Sequence, residues 1–391
     1  MSLLPVDEAR ALVLALAGAA ATEDVDLQDA AGRVLIRDAV SRMTQPPFHA
    51  AAMDGYAVRA ADLPGTLKVV GESAAGRGWP GVLAPGQAVR IFTGAPVPAG
   101  ANQVVMQEDA RRDGDRVTIE TTLDKPHIRL AGNDFSAGET LPAGRPLTAR
   151  DIALLAAMNV PRVTVARRPR VAVLAGGDEL VPPGETPAEG QIISSNDLAI
   201  AALAREAGAS ARILPLARDT ESSLRAAFAD AADADLIVTI GGASVGDHDL
   251  IGKVAADLGM DRAFHRIAIR PGKPLMAGRL GLAVMLGLPG NPVSAVVTAV
   301  LFMQPLIRAM QGDAAPGPRV LIGTLGADLP PEGDRQHYLR ARLDGDVITA
   351  FADQDSARLR VLAEADALMI RPAGDPARRA GEQIAYIPLS R

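Results

Sequence analysis

Apolar residues in the second half of the chain follow two alternating spacings. Unbroken apolar runs, such as ADLIVTI at 234–240, predict buried strands. Between these runs, apolar residues return every three or four positions, as amphipathic helices require. The predicted strands are VAVLA (171–175), ARILPLA (211–217), ADLIVTI (234–240) and LAVMLGL (282–288), and the predicted helices span 195–208, 220–232, 249–259 and 292–310. This alternation predicts an α/β fold with a doubly wound, mainly parallel sheet and right-handed crossovers.

Two other parts of the chain have short β-type runs separated by turn residues. Between 41 and 134, Pro and Gly separate runs such as AVRIF (88–92), which predicts a β-rich domain. After PGPR, runs such as EQIAYIPL predict an all-β C-terminal domain. A helix after Pro5, and a helix capped by Thr148 and followed by a strand, predict a connector. The predicted domains are 1–40 with 135–168 (N-terminal helix and connector), 41–134 (inserted β-rich domain), 169–315 (α/β domain) and 316–391 (all-β domain).

Composition excludes several classes of site. With 391 residues and 48% hydrophobic residues, the chain can bury more than one core. It has no cysteine and only 3% aromatic residues, which excludes thiolate zinc sites, Fe–S clusters and cysteine nucleophiles and leaves few base-stacking surfaces. A net charge of −6 disfavours nucleic-acid binding.

The N-terminal segment and the lack of cysteine bear on the compartment. Asp7 and Glu8 stand where a signal peptide would be basic, and the apolar run at 11–21 is shorter than a membrane span of about 20 residues. The absence of cysteine fits a reducing compartment. We therefore expect a cytoplasmic protein without a membrane segment.

Candidate chemistry gathers in the loops that follow the predicted α/β strands. The carboxyl ends of parallel strands lie on one sheet edge, where ligands bind. The four loops are GGDEL (176–180), RD (218–219), GGASVGDHD (241–249) and PGNPVS (289–294). Glycine-rich loops admit phosphates and clustered carboxylates suit Mg²⁺, so the loops predict a phosphorylated ligand with magnesium. Asp219 and Asp249 each precede a helix and could instead be helix caps.

Other segments leave alternatives open. The loop AIRPGKPLM (268–276), with Arg266 just upstream, could clamp an anion or could be a solvated basic turn. The pattern G-A-S-V-G at 242–246 matches a nucleophile elbow, which would make Ser244 the nucleophile of a serine esterase. In the β-rich domain, Asp54 precedes a strand and Thr93 lies in a long stiffened loop, and structural turns explain both from physics alone.

Six motifs in one order carry a resemblance to a known family. AMDGYAV, RIFTGAPVPAGANQVVMQE, GDEL, GGASVGDHD, RPGKP and GLPGNPVSA occur here in the order found in molybdopterin molybdenumtransferases, which include the E domain of gephyrin. The resemblance covers nearly the whole chain. It implies an elongated homodimer of four-domain subunits with a molybdopterin-binding α/β domain and active sites between subunits. It also implies that adenylylated molybdopterin and molybdate are substrates, that Mg²⁺ assists, and that a molybdopterin adenylyltransferase and molybdoenzyme apoproteins are partners.

The resemblance also assigns residues. Asp54, Asp134, Glu179, Asp219 and Asp249 match the family's acids and are the catalytic candidates, with Glu179 and Asp249 also as metal ligands. The substrate-binding candidates are Thr93, Gly241, Gly242, Ser244, Gly246, Arg266, Arg270, Lys273, Pro289, Asn291, Pro292, Ser294, Arg340 and Ser356. Gly176 stands where the family usually has Thr, and Arg266 and Arg270 stand where Lys is common. A pterin-binding carrier that inserts no metal is therefore kept as the alternative function.

Overall fold

The computed structural model describes residues 3–121, 124–241 and 250–389. Its strands are β1 Thr22–Asp26, β2 Ala39–Val40, β3 Ala50–Ala51, β4 Gly55–Val58, β5 Gly65–Ser73, β6 Gln87–Ile91, β7 Gln103–Met106, β8 Arg111–Asp113, β9 Arg116–Ile119, β10 Ile128–Arg129, β11 Thr140–Leu141, β12 Arg162–Ala166, β13 Arg170–Ala175, β14 Leu180–Val181, β15 Ile192–Ile193, β16 Ser210–Ile213, β17 Leu236–Ile240, β18 Asp261–Arg266, β19 Ile269–Arg270, β20 Pro274–Leu280, β21 Ala283–Leu288, β22 Leu321–Leu325, β23 Gln336–Asp344, β24 Val347–Ala350, β25 Ala367–Arg371 and β26 Gln383–Pro388. Its α-helices are α1 Val6–Ala15, α2 Ala149–Ala157, α3 Asn196–Glu206, α4 Glu221–Asp230, α5 Leu250–Asp257, α6 Pro292–Thr298, α7 Gln304–Met310 and α8 Leu359–Ala363.

The connector joins two distant parts of the chain. Strand β1 pairs antiparallel with β12, so that Thr22 lies opposite Ala166. Helix α2 begins with the predicted cap. The Asp151 backbone N–H donates to the Thr148 hydroxyl oxygen, and the Thr148 backbone N–H donates to the Asp151 carboxylate. These reciprocal bonds fix the start of the helix.

The β-rich domain lies between the two connector segments. Its six-stranded sheet has the order β7-β4-β6-β5-β9-β8. A short pair, β3 with β10, brings the segment before Asp54 close to the segment before Asp134. Two small apolar clusters form its core, one of them around Ile91 and the other around Val105.

The α/β domain is built on a six-stranded sheet with the order β16-β13-β17-β21-β20-β18. The first four strands are parallel, and β20 and β18 add antiparallel strands at one edge. Helices α3, α6 and α7 contribute to the core cluster on one face, and α4 and α5 contribute to the cluster on the other. The doubly wound, mainly parallel sheet is confirmed.

A long apolar helix packs against one face of the sheet of this domain. Helices α6 and α7 are joined by the π-helical turn Ala299–Met303, so helical structure runs from Pro292 to Met310. The 19 residues are long and apolar enough to cross a membrane, but 78% of the most apolar window is buried inside the protein. In this fold, the helix is a core element.

The C-terminal domain is a small barrel. Strands β23, β24, β22, β26 and β25 pair in this order, and β25 closes the ring by pairing with β23. Strand β19, which comes from the α/β part of the chain, joins this sheet by pairing in parallel with β23. One short helix, α8, interrupts the strands. The four domain boundaries inferred from the sequence stay predictions.

Candidate functional site

A cavity of about 1120 Å³ lies between the α/β domain and the C-terminal barrel. It opens at the carboxyl ends of β13, β17 and β21, which are parallel neighbours in the sheet. Ligands of doubly wound folds bind at such an edge. Two domains therefore supply its walls.

The α/β wall of the cavity contains most of the predicted loop residues. Strand β13 leads into Gly176 and Glu179, β17 into Gly241, and β21 into the turn before α6. The predicted residues that line the cavity on this wall are Glu179, Gly241, Pro289, Asn291, Pro292 and Ser294. Glu179 is solvent-exposed, so its carboxylate is accessible to a ligand or cation.

Three basic side chains form one end of the cavity. Arg270 and Lys273, both predicted, line it together with Arg335 of the barrel. Arg335 also donates to the Ile269 carbonyl oxygen at 3.4 Å. Arg335 was not found from the sequence, although it lies only two residues before the predicted strand HYLRARL, which begins at His337. These three cations outnumber the two exposed acids of the lining, Glu179 and Asp355. This balance of charge suits an anion.

The barrel wall contains Ser356, with Arg340 directly behind it. Arg340 is fully buried, and its Nη2 donates to the Asp355 carbonyl oxygen at 3.1 Å. Within the described part of the chain, Nε and Nη1 of Arg340 have no hydrogen-bond partner. Burial lowers the pKa of Arg340 because it disfavours the charged guanidinium. A buried cation with unused donors is a costly arrangement unless an anion comes close.

Further cavity residues were also missed by sequence reasoning. The segment 192–196 lines the cavity, and Asn196 Nδ2 donates to the Gly290 carbonyl oxygen at 2.7 Å. Ile192 and Leu359 add exposed apolar surface from both domains. The only sequence signal was the start of the helix predicted at 195–208, and helix starts are too common to mark a site.

Asp54, Thr93 and Asp134 lie in the β-rich part of the chain and do not line this cavity. The Thr93 backbone N–H and hydroxyl both donate to Asp54 Oδ1, each at 2.7 Å. These two hydrogen bonds, with a smaller contribution from the Arg90 charge, hold the pKa of Asp54 below its usual value. Asp134 is exposed, and its backbone N–H donates to the Gln45 carbonyl oxygen at 3.0 Å.

Asp219 and Arg266 also lie outside the cavity lining. The Asp219 backbone N–H donates to Asp178 Oδ1 at 3.4 Å, which places Asp219 at the same sheet edge. Thr220, not Asp219, caps α4 through its hydroxyl, so the interpretation of Asp219 as a helix cap was wrong. Arg266 is exposed at the end of β18. The roles assigned to both residues stay predictions.

Four predicted site residues, Gly242, Ser244, Gly246 and Asp249, lie outside the described residues. Within residues 3–121, 124–241 and 250–389, no group of three or more His, Asp or Glu side chains could hold a metal ion. For magnesium this is no contradiction, because Mg²⁺ is commonly held by one or two carboxylates together with substrate phosphates and water. Glu179 offers one such carboxylate at the cavity.

Comparisons with known proteins agree with this architecture. Residues 4–159 match the MoeA N-terminal region (domain I and II), residues 172–309 match a probable molybdopterin binding domain, and residues 323–389 match the MoeA C-terminal region (domain IV). A molybdopterin molybdenumtransferase from Nostoc is 39% identical over 388 residues, which cover 94% of this chain and 89% of that protein. The chain belongs to the molybdopterin molybdenumtransferase family.

Other members of the molybdopterin molybdenumtransferase family are also similar to it. The molybdopterin molybdenumtransferase of Haemophilus influenzae is 40% identical over 79% of this chain and 78% of that protein. The crystal structure of the molybdopterin biosynthesis moeA protein from Pyrococcus horikoshii has a TM-score of 0.87 at 27% identity and covers 99% of this chain and 100% of that chain. The predicted family, enzyme class and multidomain fold are therefore confirmed.

Proposed function

We propose that this protein inserts molybdenum from molybdate into adenylylated molybdopterin and hydrolyses the adenylate, which yields molybdenum cofactor. The cavity between the α/β domain and the barrel carries the proposal, because its volume of about 1120 Å³ suits a nucleotide-sized ligand. The family to which the chain belongs supports the same reaction class.

The basic end of the cavity supports binding of oxyanions. Arg270, Lys273 and Arg335 supply positive charge at the surface, and Arg340 supplies two donor nitrogens behind it that no described residue uses. Both substrates carry oxyanions, as phosphate in the adenylate and as molybdate itself. An anion near Arg340 would offset the cost of its buried charge.

Magnesium fits the acidic part of the same cavity. Glu179 would hold the ion together with Asp249, which lies outside the described residues, and with substrate phosphate oxygens. Magnesium, when bound, would neutralise negative charge on the adenylate. Without a cation, Glu179 would repel these phosphates.

The reaction is tested by incubating the purified chain with molybdate and adenylylated molybdopterin. Formation of AMP and of molybdenum cofactor, measured together, supports the proposal. Retention of intact adenylylated molybdopterin without AMP release would instead identify the pterin-binding carrier. Labelling of Ser244 by a fluorophosphonate would identify the serine esterase.

We further propose a homodimer in which the Asp54 region of one subunit completes the cavity of the other. Met43, Phe48, Met53 and Leu130 lie in or next to the two segments that the β3–β10 pair joins, and they have exposed fractions of 42%, 40%, 44% and 56%. Exposed apolar side chains of this number favour a protein contact. Asp134 comes from the same surface, so both acids would reach the partner's substrate.

Complementation between inactive variants tests the shared site. Asp54→Ala and Glu179→Gln homodimers should each be nearly inactive. In a mixed dimer one site carries both changes and the other carries neither. Random exchange of equal amounts makes half of the dimers mixed, so roughly a quarter of all sites should recover. Absence of recovery, with mixed dimers verified by mass spectrometry, would place both residues in one subunit's site.

The proposed setting follows from the reaction. We place the protein in the cytoplasm, where a molybdopterin adenylyltransferase would supply its substrate and molybdoenzyme apoproteins would accept its product. Fractionation of the native cells and co-purification with an adenylyltransferase test these two points separately.

A further inference from the structure

A hydrogen bond between two side chains joins the two walls of the cavity. Asn291 Nδ2, at the end of the α/β sheet, donates to Ser356 Oγ of the barrel at 3.0 Å. Both residues line the cavity. The Val293 backbone N–H also donates to the Ser356 carbonyl oxygen, at 3.1 Å. Ser356 is therefore held by the α/β domain through both its backbone and its side chain.

The position of Asn291 in the chain does not by itself explain this contact. Asn291 is the N-cap residue of the helix that begins at Pro292, and asparagine at this position usually accepts a hydrogen bond from the first helical turn. Here its side chain makes no capping bond. The amide is directed to the other domain instead.

The contact determines what the Ser356 hydroxyl can offer a ligand. A serine hydroxyl has one proton to donate, and its oxygen can accept. Since Asn291 donates to the oxygen, the proton must point elsewhere. In the part of the chain that the structure describes, no protein group accepts it. The hydroxyl is thus free to donate to an anion in the cavity.

The loop that carries Ser356 is itself well held. The backbone N–H of Arg340 donates to Gln354 Oε1 at 2.9 Å, and Gln354 Nε2 donates back to the backbone carbonyl oxygen of Arg340 at 2.9 Å. The bond from Arg340 Nη2 to the Asp355 carbonyl oxygen fixes the next residue. Because these bonds hold the backbone, the hydroxyl group of Ser356 can still rotate. The hydrogen bond from Asn291 restricts this rotation.

We propose that Asn291 is a positioning residue, which fixes the Ser356 hydroxyl as a donor to the molybdate oxyanion. Asn291 acts through Ser356 and does not itself need to touch the substrate. The inference rests on the proposed function, because it takes molybdate as the anion at this end of the cavity.

Reversing the direction of this hydrogen bond provides the test. In Asn291→Asp, the carboxylate accepts the Ser356 proton, so oxygen lone pairs face the oxyanion. The dissociation constant for molybdate, measured by calorimetry, should rise on the order of 100-fold in Asn291→Asp and on the order of 10-fold in Asn291→Ala. The KM for adenylylated molybdopterin should change much less than the KM for molybdate. A general structural defect would raise both.

A double-mutant cycle separates orientation from simple charge repulsion. In a Ser356→Ala background there is no hydroxyl to orient, so Asn291→Ala should have no further effect and Asn291→Asp should lose most of its effect. Asn196→Ala is the matched control, because it removes a bond to the Gly290 carbonyl in the same turn without contacting Ser356. Its effect should add to that of Ser356→Ala.

The outcomes distinguish this inference from the proposed function. Wild-type protein that binds no molybdate would overturn both. If the wild type binds molybdate, a second outcome is decisive. Should Asn291→Asp change the molybdate dissociation constant equally with and without the Ser356 hydroxyl, only the positioning role would be overturned. Non-additive effects confined to the molybdate constant would support it.

Discussion

Gly176, which lines the cavity, and the adjacent Gly177 lead to opposite expectations for the same substitution. Gly176 does not have a positive φ, and a Cβ placed on it would meet the Ala217 carbonyl oxygen at 3.5 Å and the Ala217 Cβ at 3.7 Å, which is ordinary contact. Gly177 has φ of +149°, and a Cβ there would lie 2.3 Å from Glu179 Oε2. Threonine should therefore be accepted at 176 and strained at 177.

The size of each effect follows from these geometries. Replacing a glycine whose backbone the new residue can adopt stabilises a protein by about 0.4–1 kcal/mol. For an α/β domain of this size, Gly176→Thr should raise the calorimetric midpoint by about 1–4 °C. The backbone strain in Gly177→Thr should cost about 1–3 kcal/mol and lower the midpoint by several degrees.

The two variants should also differ in adenylate hydrolysis. A Cβ at 176 is directed to Ala217 and Leu224, which do not line the cavity, so Gly176→Thr should leave the affinity for adenylylated molybdopterin close to that of the wild type. Threonine at 177 displaces the Glu179 carboxylate and should slow adenylate hydrolysis. Calorimetry with and without ligand measures the unfolding midpoint and the affinity, and AMP release measures adenylate hydrolysis. A Gly176→Thr protein that is destabilised by more than about 1 kcal/mol would refute the reasoning from backbone geometry.

Three further expectations concern single side chains. Arg340→Met should leave the unfolding midpoint unchanged or higher, because two guanidinium nitrogens have no hydrogen-bond partner among the described residues, while molybdate affinity measured by calorimetry falls on the order of 100-fold. Glu179→Gln should still bind adenylylated molybdopterin but hydrolyse it on the order of 100-fold more slowly, and AMP release by the wild type should cease after EDTA treatment. Burial raises the pKa of Tyr338 from 10.0 to about 12, so its contribution to stability is present below pH 10 and is lost as pH rises towards 12. Tyr338→Phe should flatten the urea-unfolding stability profile over this pH window, and an unchanged slope would contradict the assignment.

Elements that are apolar and buried along their whole length were predicted best from the sequence. Strand β17 is buried at every position, and its apolar run identified it directly. Strand β18 was missed because DRAFHR contains only two apolar residues, as befits a largely exposed edge strand. Strand β20 was missed because Pro274 and Gly278 indicated a loop, although its central residues are buried.

The candidate site was predictable only on one side. Parallel strands must end at one edge, so the loops after β13, β17 and β21 could be placed together from their order in the chain. The contribution of the barrel depends on how it docks. Nothing in the residues around Arg335 or Gln354 indicates that they line the same cavity as Lys273. The pairing of β19 with β23 brings them there, and a two-residue strand leaves no sequence pattern.

The pairing of β1 with β12 also affects how the protein is made. Thr22 meets Ala166, 144 residues further along the chain. At a synthesis rate of roughly 5–20 residues per second, the first strand waits roughly 7 to 29 seconds on the ribosome before its partner emerges. During that interval the β-rich domain can already fold, whereas β1 presents unpaired backbone groups. The nascent N-terminal segment is thus the part of this chain most in need of a chaperone, and slowing translation between residues 26 and 162 should lengthen its exposure to proteases.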